Sequence, residues 1–338
     1  MDLHIDNILK DLRKDDFQAY MLTQFTNVEY ISGYRPTSFA FCLIKENPVI
    51  YASGMDMELA NRDSSIEIKE YESFEGIVNE LKQDGVNKLA IEPSLPFSTY
   101  VRFRDYFEID SKTYIDKQRM IKTPHEIEKI TKATKIAQKS FLQLDVLNND
   151  ATEKEMAFDL VRLMIENGAS KESFDTIVAS GPDSSLPHAI PQDKKLDQPI
   201  LIDWGAIYEG YCSDNTRTIV YTERQQEIWD IVAEAHDKAI KAIKPGIKCC
   251  EVDKVARDII SDYGYGDKFI HSTGHSLGLD IHETPGFSLR DETIVEEGMV
   301  ITVEPGIYFE GEFGVRLEDT VSISKRANVI GDLPLKID

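Results

Sequence analysis

The chain has 338 residues, with 60 Asp and Glu against 38 Lys and Arg, for a formal net charge of -22. Its acids run along the whole length, which excludes a nucleic-acid partner, because phosphate binding requires a clustered basic surface. A hydrophobic share of 41% supports one large domain or two ordinary ones, and no apolar run approaches the ~18 residues of a membrane span.

The opening segment, MDLHIDNILK, lacks the basic and apolar regions of a signal peptide. A soluble, cytoplasmic protein without a membrane partner is therefore expected. Residues 1 to about 118 read as alternating strands and helices. The apolar runs 38–45 and 48–52 suit strands, and helices fit near 4–13 and 73–83. No catalytic cluster stands out there, so this part is expected to be a small α/β domain that covers a site or dimerises.

A boundary follows at RMIKTPHEIEKI, dividing 1–118 from 119–338. Thr123 is placed to cap a helix, with Pro124 in its first turn and Glu126 closing a capping box. Ile127, Ile130, Ala133, Ala137 and Phe141 then recur at helical spacing. A second box, Thr152 with Glu155, opens a helix that stops at Gly168. From residue 200 the texture turns to strands. Two more amphipathic helices follow at about 224–243 and 250–263, and strands return at 299–324.

Residues 119–338 thus run helix, helix, strands, twice over. Within the strands, Asp203-Trp-Gly-Ala-Ile-Tyr-Glu-Gly210 parallels Glu304-Pro-Gly-Ile-Tyr-Phe-Glu-Gly311. Each opens with a carboxylate after an apolar run and turns at glycine. Asp214 should return opposite Asp203 across a turn at Tyr208-Glu209-Gly210, and Glu318 opposite Glu304 about Gly311. Cross-strand neighbours lie ~5 Å apart. Bare carboxylates that close would force one to keep its proton, and two divalent ions would balance all four. Metal pairs of this kind recur in hydrolases.

Three of the seven histidines fall in HSTGHSLGLDIHE, as His271, His275 and His282, and His188 precedes the first hairpin. His4, His125 and His236 read as structural. One imidazole with four carboxylates suits manganese, cobalt, iron or zinc alike. Two other motifs fail. His282-Glu283 lacks the second histidine of H-E-x-x-H. Gly274-His-Ser-Leu-Gly278 matches a serine-hydrolase elbow, but the single histidine after it, His282, stands too close for the usual triad order. The four cysteines, Cys42, Cys212, Cys249 and Cys250, form neither a disulfide framework nor a zinc motif.

Four ordered stretches, LIDWGAIYEGYCSDNTRT, HSTGHSLGLDIHE, VEPGIY and GVRLEDT, resemble the pita-bread metallopeptidases, among them methionine aminopeptidase, aminopeptidase P and prolidase. The resemblance implies an α+β fold: a C-terminal pita-bread of duplicated helix-helix-strand halves around a curved antiparallel sheet, preceded by a smaller creatinase-like α/β domain. It places Asp203, Asp214, His275, Glu304 and Glu318 in the five ligand positions for two divalent metal ions. Ser276 departs from the glycine usual after the ligand histidine. The N-terminal domain points to the aminopeptidase P and prolidase branch, and to a homodimer.

The implied activity is hydrolysis of the Xaa-Pro bond of short proline-containing peptides, by a hydroxide that two cations generate at neutral pH. Glu304 is the candidate proton shuttle. His188 and His282 would bind the tetrahedral centre and the substrate backbone, His271 would line the proline pocket, and Arg316 would orient Glu318. An Xaa-Pro aminopeptidase is the leading expectation and an Xaa-Pro dipeptidase the alternative, since no arginine for a terminal carboxylate is evident beyond Arg290. A creatinase-type amidinohydrolase and a peptide-binding pseudoenzyme are weaker alternatives, because such relatives lack ligands present here.

Overall fold

The computed structural model describes residues 3–146 and 150–337, and the chain divides into two compact units, Met1–Arg119 and Met120–Asp338. In the first unit, strands β1 (Ala19–Leu22), β2 (Ala40–Ile44), β3 (Val49–Ala52), β4 (Glu67–Glu70), β5 (Lys88–Ile91) and β6 (Glu108–Ser111) form one sheet in the order β4-β3-β2-β1-β5-β6. Helices α1 (Leu3–Lys14), α2 (Phe25–Ser32), α3 (Met57–Asp63), α4 (Phe74–Gln83), α5 (Phe97–Phe103) and α6 (Tyr114–Met120) alternate with them. Strand side chains alternate between the two faces of a sheet. Tyr20 and Leu22 accordingly enter one core, with Ile8 and Leu12 of α1, while Met21 enters the other, with Phe74 and Leu81 of α4. Both faces are therefore covered.

The second unit carries the duplication. Helices α7 (Pro124–Gln143, 20 residues) and α8 (Glu153–Glu166, 14 residues) precede one group of strands. Helices α9 (Glu223–Ala242, 20 residues) and α10 (Cys249–Asp262, 14 residues) precede the other, with matching lengths. Thr123 with Glu126, Thr152 with Glu155 and Thr222 with Gln225 close reciprocal capping boxes at three of the four helix starts.

In the first half, β7 (Lys171–Glu172), β8 (Ile177–Ser180), β9 (Ile200–Trp204), β10 (Ala206–Tyr208), β11 (Tyr211–Cys212) and β12 (Asn215–Ile219) pair antiparallel. The second half contributes β13 (Gly274–Ser276), β14 (Glu283–Phe287), β15 (Val300–Val303), β16 (Gly306–Phe309), β17 (Phe313–Arg316), β18 (Asp319–Ile323) and β19 (Ala327–Val329), again antiparallel. The mixed helix-and-sheet expectation for this region is met. Each half has its own core: Ala137, Phe141, Met156 and Leu160 pack on Ile200, Ile202 and Trp204, while Val232, Ala235, Val252 and Ala256 pack on Ile301, Val303 and Val315.

The halves meet along β12. Glu318 N–H donates to the Thr216 carbonyl at 3.1 Å, and Thr218 Oγ1 donates to the Arg316 carbonyl at 2.8 Å. Arg217, with no exposed surface, sends its guanidinium across to the Glu318 carbonyl at 2.6 Å and to Asp319 Oδ1 at 2.8 Å. Breaking a buried pair leaves the remaining charge uncompensated, at a cost of about 3–5 kcal/mol. Arg217→Met is expected to lower the unfolding free energy of this unit by that amount. Denaturant titration followed by tryptophan fluorescence checks it, because both tryptophans, Trp204 and Trp229, lie in this unit.

Candidate metal centre

The first hairpin turns at Glu209 and Gly210, which both have positive φ, 46° and 86°. A two-residue turn of that kind fits the twist of antiparallel strands, and it centres the register between these two residues. Asp203 therefore faces Thr216. Asp214, expected opposite Asp203, instead lies two residues nearer the turn, diagonal to Asp203 on the same face. Close approach explains the glycine between them: a Cβ on Gly205 would lie 1.9 Å from the Ser213 carbonyl oxygen. In the second hairpin, Val303 faces Asp319 and Gly306 faces Arg316. That register sets Glu304 opposite Glu318 about Gly311, as the sequence suggested.

Asp203, Asp214, His275, Glu304 and Glu318 all line one cavity of about 480 Å³, and so do His188, His271, His282 and Arg316. Ligand-type atoms of Asp214, His275 and Glu318 lie within 4.8 Å of one another. His275 Nε2 is 3.5 Å from Asp214 Oδ2 and 3.4 Å from Glu304 Oε1. Its Nδ1 donates to the Ser276 carbonyl at 3.1 Å, which leaves the Nε2 lone pair directed at the carboxylates.

Three buried carboxylate oxygens, Asp203 Oδ1, Asp214 Oδ1 and Glu318 Oε1, have no hydrogen-bond partner. Native structures rarely leave buried polar atoms unsatisfied. Burial, reinforced by the facing carboxylates, pushes Asp214 and Glu318 well above the usual carboxylate range. Asp203 is raised less, because Arg316 offsets part of the burial. Oxygen-rich donors with one imidazole, crowded and short of partners, fit divalent cations.

Arg316 does not hold Glu318 as expected. Its guanidinium donates to Asp203 Oδ2 at 2.6 Å, to the Tyr308 hydroxyl at 2.9 Å and to Thr216 Oγ1 at 3.2 Å. Glu318 is oriented by Thr216, whose hydroxyl donates to its Oε2 at 2.7 Å. Thr302 Oγ1 similarly donates to Glu304 Oε1 at 3.2 Å. These threonines were missed, although period-two spacing could have found them: each lies two residues from a candidate ligand, on the same strand face.

His271 donates from Nδ1 to the Ser272 carbonyl and accepts at Nε2 from the Tyr308 hydroxyl, both at 2.8 Å. Burial pushes the Tyr308 phenol up to about 12, so it remains a donor. With both nitrogens engaged and burial lowering its pKa, His271 offers the cavity a neutral ring rather than a hydrogen bond. His282 is exposed, and its ring lies 4.4 Å from that of His275. Burial of its inner part and the neighbouring His275 lower its pKa. His188 is exposed at the cavity edge, whereas Arg290 is exposed and does not line the cavity. Ser276 is buried and donates to the Val300 carbonyl at 2.8 Å, which removes it as a nucleophile.

With this geometry in view, comparison with known proteins gives the family. Metallopeptidase family M24 matches residues 128–325, and the creatinase/prolidase N-terminal domain matches residues 4–121. The chain belongs to metallopeptidase family M24 and is a metal-dependent peptidase. It is 39% identical over 339 residues to an Xaa-Pro dipeptidase of Pyrococcus horikoshii, covering 97% of this chain and 96% of that protein. The solved prolidase of Pyrococcus horikoshii OT3 matches with a TM-score of 0.94 at 38% identity, covering 98% of this chain and 99% of the other. An X-Pro aminopeptidase from Thermotoga maritima MSB8 matches with a TM-score of 0.91 at 32% identity, covering 98% of each. Among the described residues no helix is long and apolar enough to cross a membrane.

Asp214→Ala and Glu318→Ala are each expected to lose tightly bound divalent metal, and with it hydrolysis, while the circular dichroism spectrum is kept. Metal analysis of the dialysed proteins checks this. Full metal content and activity in either variant would refute the ligand set.

Proposed function

We propose that the chain is an Xaa-Pro dipeptidase, with Asp203, Asp214, His275, Glu304 and Glu318 holding two divalent ions, manganese or cobalt ahead of zinc or iron. The strongest support is the convergence of all five residues, from segments more than 100 residues apart, on one cavity with three partnerless carboxylate oxygens. The curated relatives named Xaa-Pro dipeptidase, 39% identical over nearly the full chain, favour this activity over the aminopeptidase expected first. A cavity of about 480 Å³ suits a small ligand. Xaa-Pro aminopeptidase activity is the second reading, supported by the Thermotoga maritima relative.

When bound at these five residues, such ions would supply a water of near-neutral pKa and would polarise the scissile carbonyl. The protein's own groups supply the remainder. Glu304 accepts the proton of the attacking water and delivers it to the prolyl nitrogen as the C–N bond breaks. His282 and His188 donate N–H groups to the carbonyl oxygen as negative charge develops on it and its carbon becomes tetrahedral, and to the substrate backbone. His271 walls the proline ring. Arg316, already engaged with Asp203, Tyr308 and Thr216, is the one Lys or Arg side chain lining the cavity among the described residues. The exposed imidazoles of His188 and His282 are therefore the cavity groups available to a terminal carboxylate.

Two outcomes follow. With added manganese or cobalt, kcat/KM for an Xaa-Pro dipeptide is expected to exceed that for the matching Xaa-Pro-Yaa tripeptide, and the reverse order would establish the aminopeptidase reading. His282→Ala is expected to reduce kcat by ~10²-fold with unchanged metal content, measured by steady-state kinetics beside metal analysis.

A further inference from the structure

Lys122, between α6 and α7, is 4% exposed, and its ammonium donates to Ser276 Oγ and Glu283 Oε2, each at 3.1 Å. The Glu283 side chain is also almost fully buried, at 6% exposure. Replacing a buried charge pair by apolar groups of similar volume is often neutral or stabilising. Fold stability is thus a poor explanation for a lysine here, and its partners suggest another.

Ser276 and Glu283 face each other at the base of the loop 277–282, just where the β13–β14 ladder shifts register. Each directly follows a cavity histidine. His275 and His282 line the cavity, whereas Ser276 and Glu283 do not, as expected for neighbours pointing to opposite sides of a strand. The second Glu283 oxygen turns into the loop and accepts from Asp280 N–H at 3.2 Å. It packs so closely beneath Gly278 that a Cβ there would lie 2.6 Å away.

We infer that Lys122 is a positioning residue: its ammonium, shared between Ser276 and Glu283, fixes from behind the separation at which His275 and His282 face the cavity. The kinetic part of this rests on the proposed peptidase reading. The structural part rests on the contact between the two rings, 4.4 Å apart between centroids.

The test uses the full chain, wild type beside Lys122→Met and Lys122→Met/Glu283→Gln, the second of which leaves no stranded charge. Nuclear Overhauser contacts between histidine rings are recorded with only the histidines left protonated, in the metal-free protein. The His275–His282 contact is expected in the wild type and weakened or lost in both variants. With metal added, kcat on an Xaa-Pro dipeptide is expected to fall about tenfold or more, while KM and bound metal stay near wild-type values. A double variant that keeps the ring contact and wild-type kcat would overturn the inference. Failure of both variants to fold would overturn it equally, because the pair would then hold the fold and not the spacing. If the wild type cleaves no Xaa-Pro peptide, the peptidase reading fails while the ring contact still decides the role of Lys122.

Discussion

Everything at the cavity depends on the seam where β12 of the first half meets the Arg316–Thr320 segment of the second. Asp203 and Asp214 belong to one half, His275, Glu304 and Glu318 to the other, so no single hairpin could assemble the set. The seam contacts that join the halves also fix the candidate ligands. Thr216 accepts Glu318 N–H at its carbonyl and donates its hydroxyl to the Glu318 carboxylate. Arg316 reaches back to Asp203, and Thr320 Oγ1 donates to the Asp214 carbonyl. Sliding one half along the other would break the docking and the site together.

This arrangement works against the fold's own stability. Two like charges 4 Å apart repel by about 4 kcal/mol at the effective dielectric of a protein surface, and burial adds to that. Four crowded carboxylates with Arg316 as their one fully engaged cationic partner are an expensive feature, which agrees with the direction in which Asp214 and Glu318 are pushed. The two flanking cores hold it in place. A residue such as Trp204, stacked on Phe141 at 4.3 Å and bonded to the Ala137 carbonyl, adds burial that is favourable in itself.

Local signals were readable in the sequence and distant ones were not. The boxes at Thr123 and Thr152 fixed two helix starts because a cap involves residues three apart. Glu304 and Glu318 were correctly paired because the turn at Gly311 is symmetric about the midpoint between them. Asp214 was misplaced by two residues, since spacing alone could not reveal that the first turn centres between Glu209 and Gly210. Arg316 was paired with Glu318, its near neighbour along the chain, whereas its carboxylate partner Asp203 lies 113 positions away. Nothing local marks Lys122 as buried, because a lone lysine before a helix ordinarily faces water.

One regularity accounts for the rigidity of the centre. A residue facing the cavity is repeatedly followed by one that locks the opposite side of the chain. Asp203 precedes Trp204, bonded to the Ala137 carbonyl of α7, and Asp214 precedes Asn215, whose Oδ1 accepts from Gln138 on the same helix. His275 and His282 precede the two partners of Lys122, and Glu318 precedes Asp319, held by Arg217. Strand alternation makes this possible, since adjacent side chains leave on opposite faces. Asp203, Asp214, His275, His282 and Glu318 are thereby each backed by a neighbour whose contact lies outside the cavity. Glu304 is followed by Pro305 instead, which has no side-chain hydrogen bond to offer. Glu304, the candidate proton carrier, is held by its own N–H, which donates to the Thr273 carbonyl at 2.7 Å, and at its carboxylate by Thr302 Oγ1.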